Sequence, residues 1–351
     1  MPEFILDNVL RENVKKLIPY SSARSEFEGD AQIFLDANEN SLGSVLNNNF
    51  HRYPDPLQKK LKEKISAIKN IPTENIFIGN GSDEAIDLLI RAFCNPSKDN
   101  ILIFPPTYGM YEVAAEINDV AINKVLLTEN FHLDIYAAKE GIDENTKVIF
   151  VCSPNNPTGN LLNTESIEWL LQNFTGIVVI DEAYIDFADK ESWIKRLSEF
   201  PNLVVLQTLS KAWGLAGLRI GFAYASKEII DVFNKIKPPY NISEATQQLA
   251  LQALQNEEQA KEKTIVLIQQ KERLLHDFSQ FNFIQKIYPS DANFILVKVY
   301  DANAWYKYLL SKNIVVRNRS NQSLCENCLR ITVGTPPEND VLLIALKKYS
   351  V

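Results

Sequence analysis

Short apolar runs rich in β-branched residues recur through the first two thirds of the chain, at residues 75–78, 100–104, 147–151, 176–180 and 202–206. Longer stretches of mixed polarity separate them. After Gly81, Ile86, Leu89, Ile90 and Phe93 recur at helical spacing and define one apolar face. Continuous apolar strands alternating with helices predict an α/β domain built on a mostly parallel central sheet flanked by helices. From about Ser243 to Phe281 the pattern is helical, rich in Gln, Glu and Lys, with Ser243 placed to cap it. Runs at 293–297, 314–316 and 329–333 then predict a smaller α+β unit. No repeat of fixed period is evident.

Each of the five strands runs directly into a polar or glycine-rich turn. These turns are Gly79-Asn80-Gly81-Ser82-Asp83, Pro105-Pro106-Thr107-Tyr108, Ser153-Pro154-Asn155-Asn156-Pro157-Thr158-Gly159, Asp181-Glu182-Ala183-Tyr184 and Thr208-Leu209-Ser210-Lys211. In a parallel sheet such turns share one rim, where open α/β folds bind ligands. The first enters a helix, whose free N–H groups suit an anion; taken alone it reads better as a strand–helix turn capped by Ser82 or Asp83. Asp181 ends a buried strand, as an N-cap, a paired core acid, or a carboxylate held against a pyridinium nitrogen. Lys211 sits between a strand and the glycine-spaced Trp213-Gly-Leu-Ala-Gly-Leu-Arg219, an unusual place for a surface lysine and a fitting one for a Schiff-base nucleophile.

Composition narrows the classes. The chain has 351 residues, 46% hydrophobic and 23% charged, with a formal net charge of −8. Such a balance argues against nucleic acid as main partner, and any anionic substrate must be met by a few local arginines. Charges break every apolar run near the N-terminus, and no stretch approaches the roughly 20 apolar residues that span a bilayer, so the expected setting is cytoplasmic, with no membrane partner. Four cysteines are too few for a disulfide framework, and Cys325 and Cys328 lack the further ligands a zinc site needs. The histidines show no ligand spacing, and no metal is expected.

Ser153-Pro-Asn-Asn-Pro-Thr-Gly159, Asp181-Glu-Ala-Tyr184, Ser210-Lys211 and Gly217-Leu-Arg219 resemble, in order and spacing, the signature of fold-type I aminotransferases dependent on pyridoxal phosphate (PLP). Leu35-Asp-Ala-Asn38-Glu-Asn40, Arg52-Tyr53-Pro-Asp-Pro56, Pro106-Thr-Tyr108-Gly-Met-Tyr111, Lys237-Pro-Pro-Tyr-Asn241 and Leu329-Arg330-Ile-Thr-Val-Gly-Thr335 narrow the resemblance to the histidinol-phosphate aminotransferase family. It runs from Tyr20 to Thr335. Its departures are mild: Ser41 stands where proline is common, and Trp213 where phenylalanine is usual.

The resemblance implies an N-terminal arm (1–35) joining the small domain, a large PLP-binding domain (36–242), and a connecting helix with the small C-terminal domain (243–351). It implies transfer of an amino group between L-glutamate and imidazole-acetol phosphate in histidine biosynthesis, giving 2-oxoglutarate and L-histidinol phosphate, by a ping-pong Schiff-base mechanism. Lys211 carries the cofactor and moves the substrate proton; Asp181 pairs with the ring nitrogen; Asn156 and Tyr184 bond the ring oxygen; Tyr108 stacks on the ring. Ser82, Asp83, Ser210 and Arg219 hold the phosphate, with Tyr53 reaching it from the partner in a homodimer. Arg330 and Arg317 meet the substrate anion, helped by Tyr20, Asn38 and Tyr240. An aromatic aminotransferase or a phosphothreonine decarboxylase shares the cofactor motifs. A PLP-sensing regulator is the further rival, though the chain carries neither the length nor the basic patch of an added DNA-binding domain.

Overall fold

The computed structural model describes residues 4–23, 31–46 and 50–349. Seven strands form the large sheet: β1 Ile76–Asn80, β2 Asn100–Ile103, β3 Ala121–Lys124, β4 Thr146–Cys152, β5 Ile177–Asp181, β6 Leu203–Thr208 and β7 Ile220–Tyr224. Their order is β1-β7-β6-β5-β4-β2-β3. Strands β6, β5, β4, β2 and β3 run parallel, while β7 runs antiparallel to both β1 and β6. One reversed strand has a consequence for the site. The other strands end on a common rim, and β7 begins there, bringing Arg219 to it.

Successive residues of each strand point to opposite faces, and both faces are buried. Ile78, Ile149, Val178 and Val205 belong to one core, while Phe77, Val148, Val179 and Val204 belong to the other. Helix α1 (Lys59–Lys69) covers the first face through Leu61 and Ile65. Helices α2 (Ser82–Phe93) and α3 (Met110–Ile117) cover the second. Burial on both faces explains why the central strands read as unbroken apolar runs. Edge strand β3 is partly exposed along its length and carries no such run. Strand β7 is interrupted by Gly221, whose added Cβ would stand 2.1 Å from the Ser82 backbone nitrogen.

The helical stretch expected from Ser243 divides in two: α4 (Glu244–Leu254), capped by the Ser243 hydroxyl on the Thr246 N–H, and α5 (Glu257–Phe278). Ala250 and Leu254 pack in the core of the large sheet; Leu274 and Phe278 pack in that of the small one. Helix α4 thus stays with the large sheet, while α5 also packs Leu267 and Ile268 against a cluster that holds Tyr184, Phe187 and Ala212. The small sheet is antiparallel, ordered β10-β11-β9-β8, from β8 Ile284–Ile287, β9 Phe294–Val299, β10 Arg317–Asn318 and β11 Cys328–Thr332. The apolar run at 314–316 precedes β10 instead of forming it, and Val315 is 76% exposed.

Residues 1–3 and 24–30 of the N-terminal arm lie outside the described residues. The part from Phe4 to Val14 corrects the expectation that the arm joins the small domain. Leu6, Val9, Leu10 and Val14 pack in the large-domain core, and the Arg11 N–H donates to Ala92 of α2 at 3.1 Å. Apolar residues spaced along that segment bury more readily on the neighbouring helical layer than on a distant sheet.

Candidate active site

The rim holds a cavity lined among others by Ser82, Asp83, Tyr108, Asn156, Asp181, Tyr184, Ser210, Lys211 and Arg219. Nine side chains singled out from the sequence thus converge, drawn from turns after β1, β2, β4, β5 and β6 and from the start of β7.

At the floor, the buried Asp181 carboxylate accepts from the Tyr111 hydroxyl at 2.7 Å and from the Ala183 N–H at 3.1 Å. Burial pushes Asp181 up to about 6, and the Tyr111 hydrogen bond holds it lower than burial alone would. Its neighbour Glu182 points elsewhere, accepting from Trp193 N at 2.8 Å and Gln207 at 2.9 Å, and burial pushes it up to about 7. The Lys211 ammonium lies 5.5 Å from the centre of the Tyr184 ring. Burial first, and then the nearby Arg330 charge, lower its proton affinity, so the neutral amine is easier to reach.

Opposite, α2 begins without the side-chain cap expected of Ser82 or Asp83. Its N-cap is Gly81, at φ +73°, and neither Ser82 nor Asp83 caps the helix. The first-turn N–H groups therefore face the cavity available to an anion. A Cβ on Gly81 would come within 2.6 Å of Arg219 Nη2, so glycine is what lets the guanidinium lie against this turn. Asp83 is occupied sideways, accepting from the Tyr108 hydroxyl at 3.0 Å and pairing with Arg219 at 3.3 Å. Thr208 donates to the Ser210 hydroxyl at 2.9 Å and fixes it at the same end.

From the small domain, Arg330 Nη1 donates to Asn156 Oδ1 at 2.5 Å, and its guanidinium lies 5.1 Å from the Phe294 ring centre. With its oxygen engaged, the Asn156 amide turns its N–H donors elsewhere. Arg317 faces Arg330 across the β10–β11 ladder and is exposed.

The remaining expected residues stand apart. Asn38, Tyr53 and Tyr240 line a second, open cavity with Glu39 and Arg52. There Tyr53 stacks on Tyr240, ring centres 4.5 Å apart. Lys237 ties the two loops together, donating to the Pro56 and Pro239 carbonyls at 2.7 and 2.9 Å. Tyr20 is 76% exposed. Three residues received no role from the sequence. Tyr111 lies in the Pro106–Tyr111 motif on α3, but its partner Asp181 lies on β5, far along the chain, and no local pattern announces that contact. Cys152 and Thr208 line the cavity as strand ends. Cys325 and Cys328 are free and buried. Among the described residues, no helix is long and apolar enough to cross a membrane.

A family model for class I and II aminotransferases matches residues 26–346. A histidinol-phosphate aminotransferase from Cytophaga hutchinsonii is 55% identical over 346 residues, 99% of each chain. Among solved structures, histidinol-phosphate aminotransferase from Clostridium acetobutylicum superposes with TM-score 0.79 at 26% identity, over 85% of this chain and 90% of that one. The enzyme from Sinorhizobium meliloti, solved in complex with pyridoxal-5'-phosphate, gives 0.77 at 25% identity over 88% of both. The chain belongs to the class I and II aminotransferases and, within them, to the histidinol-phosphate aminotransferase family.

Proposed function

We propose that the protein moves an amino group between L-glutamate and imidazole-acetol phosphate, yielding 2-oxoglutarate and L-histidinol phosphate in histidine biosynthesis, with pyridoxal 5'-phosphate held on Lys211. The observation that carries this reading is the single cavity lined by the Lys211 amine, the buried Asp181 and the uncapped start of α2. Each end of the cofactor meets a matching group there. Asp181 suits a protonated ring nitrogen, and the first turn of α2 with Ser210 and Arg219 suits a phosphate.

Bound there, pyridoxal phosphate supplies an aldehyde that captures the substrate amine and a ring that draws electrons from Cα. The protein's residues do the rest. Lys211 holds the cofactor and, once displaced, carries the proton at substrate Cα; its depressed proton affinity favours that exchange. Asp181 keeps the ring nitrogen charged. The Asn156 amide and Tyr184 hydroxyl donate to the ring oxygen, and Tyr108 flanks the ring. Arg330 and Arg317 hold the substrate anion, whether carboxylate or phosphate, through planar forks that fit both. The two substrates occupy this seat in turn.

The working unit in this reading is a homodimer in which Tyr53 reaches the partner's cofactor phosphate, with Tyr20, Asn38 and Tyr240 near the substrate. Its support is that Tyr53 stands outside its own cavity, 51% exposed, in a part of the chain where Ile18, Ile33, Leu35, Leu42 and Val45 are also exposed. Four free cysteines suit a cytoplasmic setting.

Two measurements test the assignment. Borohydride reduction and peptide mapping should place the cofactor on Lys211, and label on another lysine overturns the chemistry. A comparison of histidinol phosphate with phenylalanine, tyrosine and phosphothreonine should favour the first, by transamination. Carbon dioxide release from phosphothreonine as the dominant reaction would instead indicate a decarboxylase.

A further inference from the structure

Among the described residues, three arginines stand on one face of the small sheet with no carboxylate paired to them. Arg317 lies opposite Arg330 in the β10–β11 ladder, and residues opposite each other in an antiparallel pair share a face. Arg319 follows Arg317 by two positions, and its N–H donates to the Cys328 carbonyl at 2.9 Å, continuing the ladder. The two-residue period of a strand returns Arg319 to the face of the other two. That face is turned to the rim cavity, since Arg330 reaches Asn156 from it.

Arg52, Arg91, Arg196, Arg219 and Arg273 all pair with carboxylates. Among the described residues no ion pair involves Arg317, Arg319 or Arg330, and the buried Nε atoms of Arg319 and Arg330 have no hydrogen-bond partner. Burial and mutual repulsion depress the proton affinity of both, and the Arg319 charge is felt at the Tyr184 phenol in the cavity. Half-buried guanidiniums without counter-charge are costly, and an anion relieves them.

We infer that Arg319 is a specificity-determining residue, completing with Arg317 and Arg330 a three-arginine seat for a phosphate monoester and adding little to the binding of a carboxylate. A carboxylate offers two oxygens and one charge, which one or two forks satisfy. A phosphate monoester offers three terminal oxygens and a charge of about −1.5 to −2 at neutral pH. Histidinol phosphate carries its phosphate on the carbon that corresponds to the α-carboxylate of glutamate, so one seat meets both groups. The third arginine distinguishes them. This inference rests on the substrate reading given above.

The test is the half-reaction of the PLP-loaded enzyme with each amino donor. In Arg319→Gln, kcat/KM for histidinol phosphate relative to that for glutamate should fall roughly tenfold or more, the scale of a charge-assisted hydrogen bond. Arg319→Lys, which keeps the charge and loses the fork, should recover part of the ratio. Inorganic phosphate should inhibit the glutamate half-reaction of the wild type, and less strongly that of Arg319→Gln. An unchanged ratio with unchanged phosphate inhibition overturns the inference, as does an equal loss for both donors. If the wild type fails to turn over histidinol phosphate, the substrate reading fails. Phosphate inhibition that is nonetheless weakened in the variant would then still support the arginine seat.

Discussion

Asp181→Asn replaces a buried acid by a neutral amide of equal size, and its consequences for stability and for function have opposite signs. Burial raises the carboxyl from its ordinary 3.8 to about 6. At about 1.4 kcal/mol per unit, the ionised acid costs the cofactor-free fold roughly 3 kcal/mol. With the folded value above the unfolded one, the folded state binds the extra proton between about pH 4 and pH 6. Its relative stability is therefore fully present below the unfolded value and lost as pH rises through the folded one. Asparagine never ionises and escapes that loss. It presents one acceptor where Tyr111 and Ala183 both donate, a mismatch costing about 1 kcal/mol. The cofactor-free variant should thus gain about 2 kcal/mol near pH 8, and nothing or less near pH 4. Urea midpoints of the two cofactor-free proteins at both pH values measure this. A variant less stable than wild type near pH 8, or a difference that ignores pH, refutes the reasoning. Cofactor affinity and turnover should fall, because the amide cannot hold a charged ring nitrogen.

Arg330→Ala should lower kcat/KM for histidinol phosphate and for glutamate alike, on the order of tenfold to a hundredfold each; a loss confined to one donor contradicts the shared seat. Gly81→Ala places a Cβ 2.6 Å from Arg219 Nη2 in a residue at φ +73°. Cofactor affinity measured by equilibrium dialysis should drop several-fold, because the guanidinium must move away from the turn that would hold the phosphate. Unaltered affinity would show that the close approach is dispensable.

Asp181 was legible because it closes an apolar run, where a polar residue is conspicuous, and Lys211 because it stands in the turn after such a run, ahead of a glycine-spaced segment. Fold class was legible for the same reason: a sheet buried on both faces writes itself as unbroken apolar segments. Strand β7 left no such trace. Ile220-Gly-Phe-Ala-Tyr224 is short, contains a glycine and follows a glycine-spaced loop, so it reads as part of that loop. Its reversal, which carries Arg219 to the rim, is a property of tertiary pairing. Tyr111 was hidden differently, since its donor role exists only when α3 meets β5. The division of the helical stretch left no local trace because α4 and α5 share one helical composition and differ in the cores they enter. Tyr53, Asn38 and Tyr240 sit on loops, where position in sequence says little about direction in space.

The charge of the whole chain and the charge of its site point in opposite directions, and burial explains how both hold. A net charge of −8 spread over the surface is screened within about 8–10 Å. Inside the rim cavity screening is weak, and a few placed groups decide the field. The large domain contributes an acid whose ionisation burial opposes, while the small domain contributes arginines that repel Lys211 and one another. Each half by itself is electrostatically costly. A ligand with a cationic ring nitrogen at one end and anionic groups at the others satisfies both at once. The groups that most burden the unliganded fold are therefore those expected to discriminate most sharply among ligands, as the opposed effects of Asp181→Asn on stability and on turnover would make measurable.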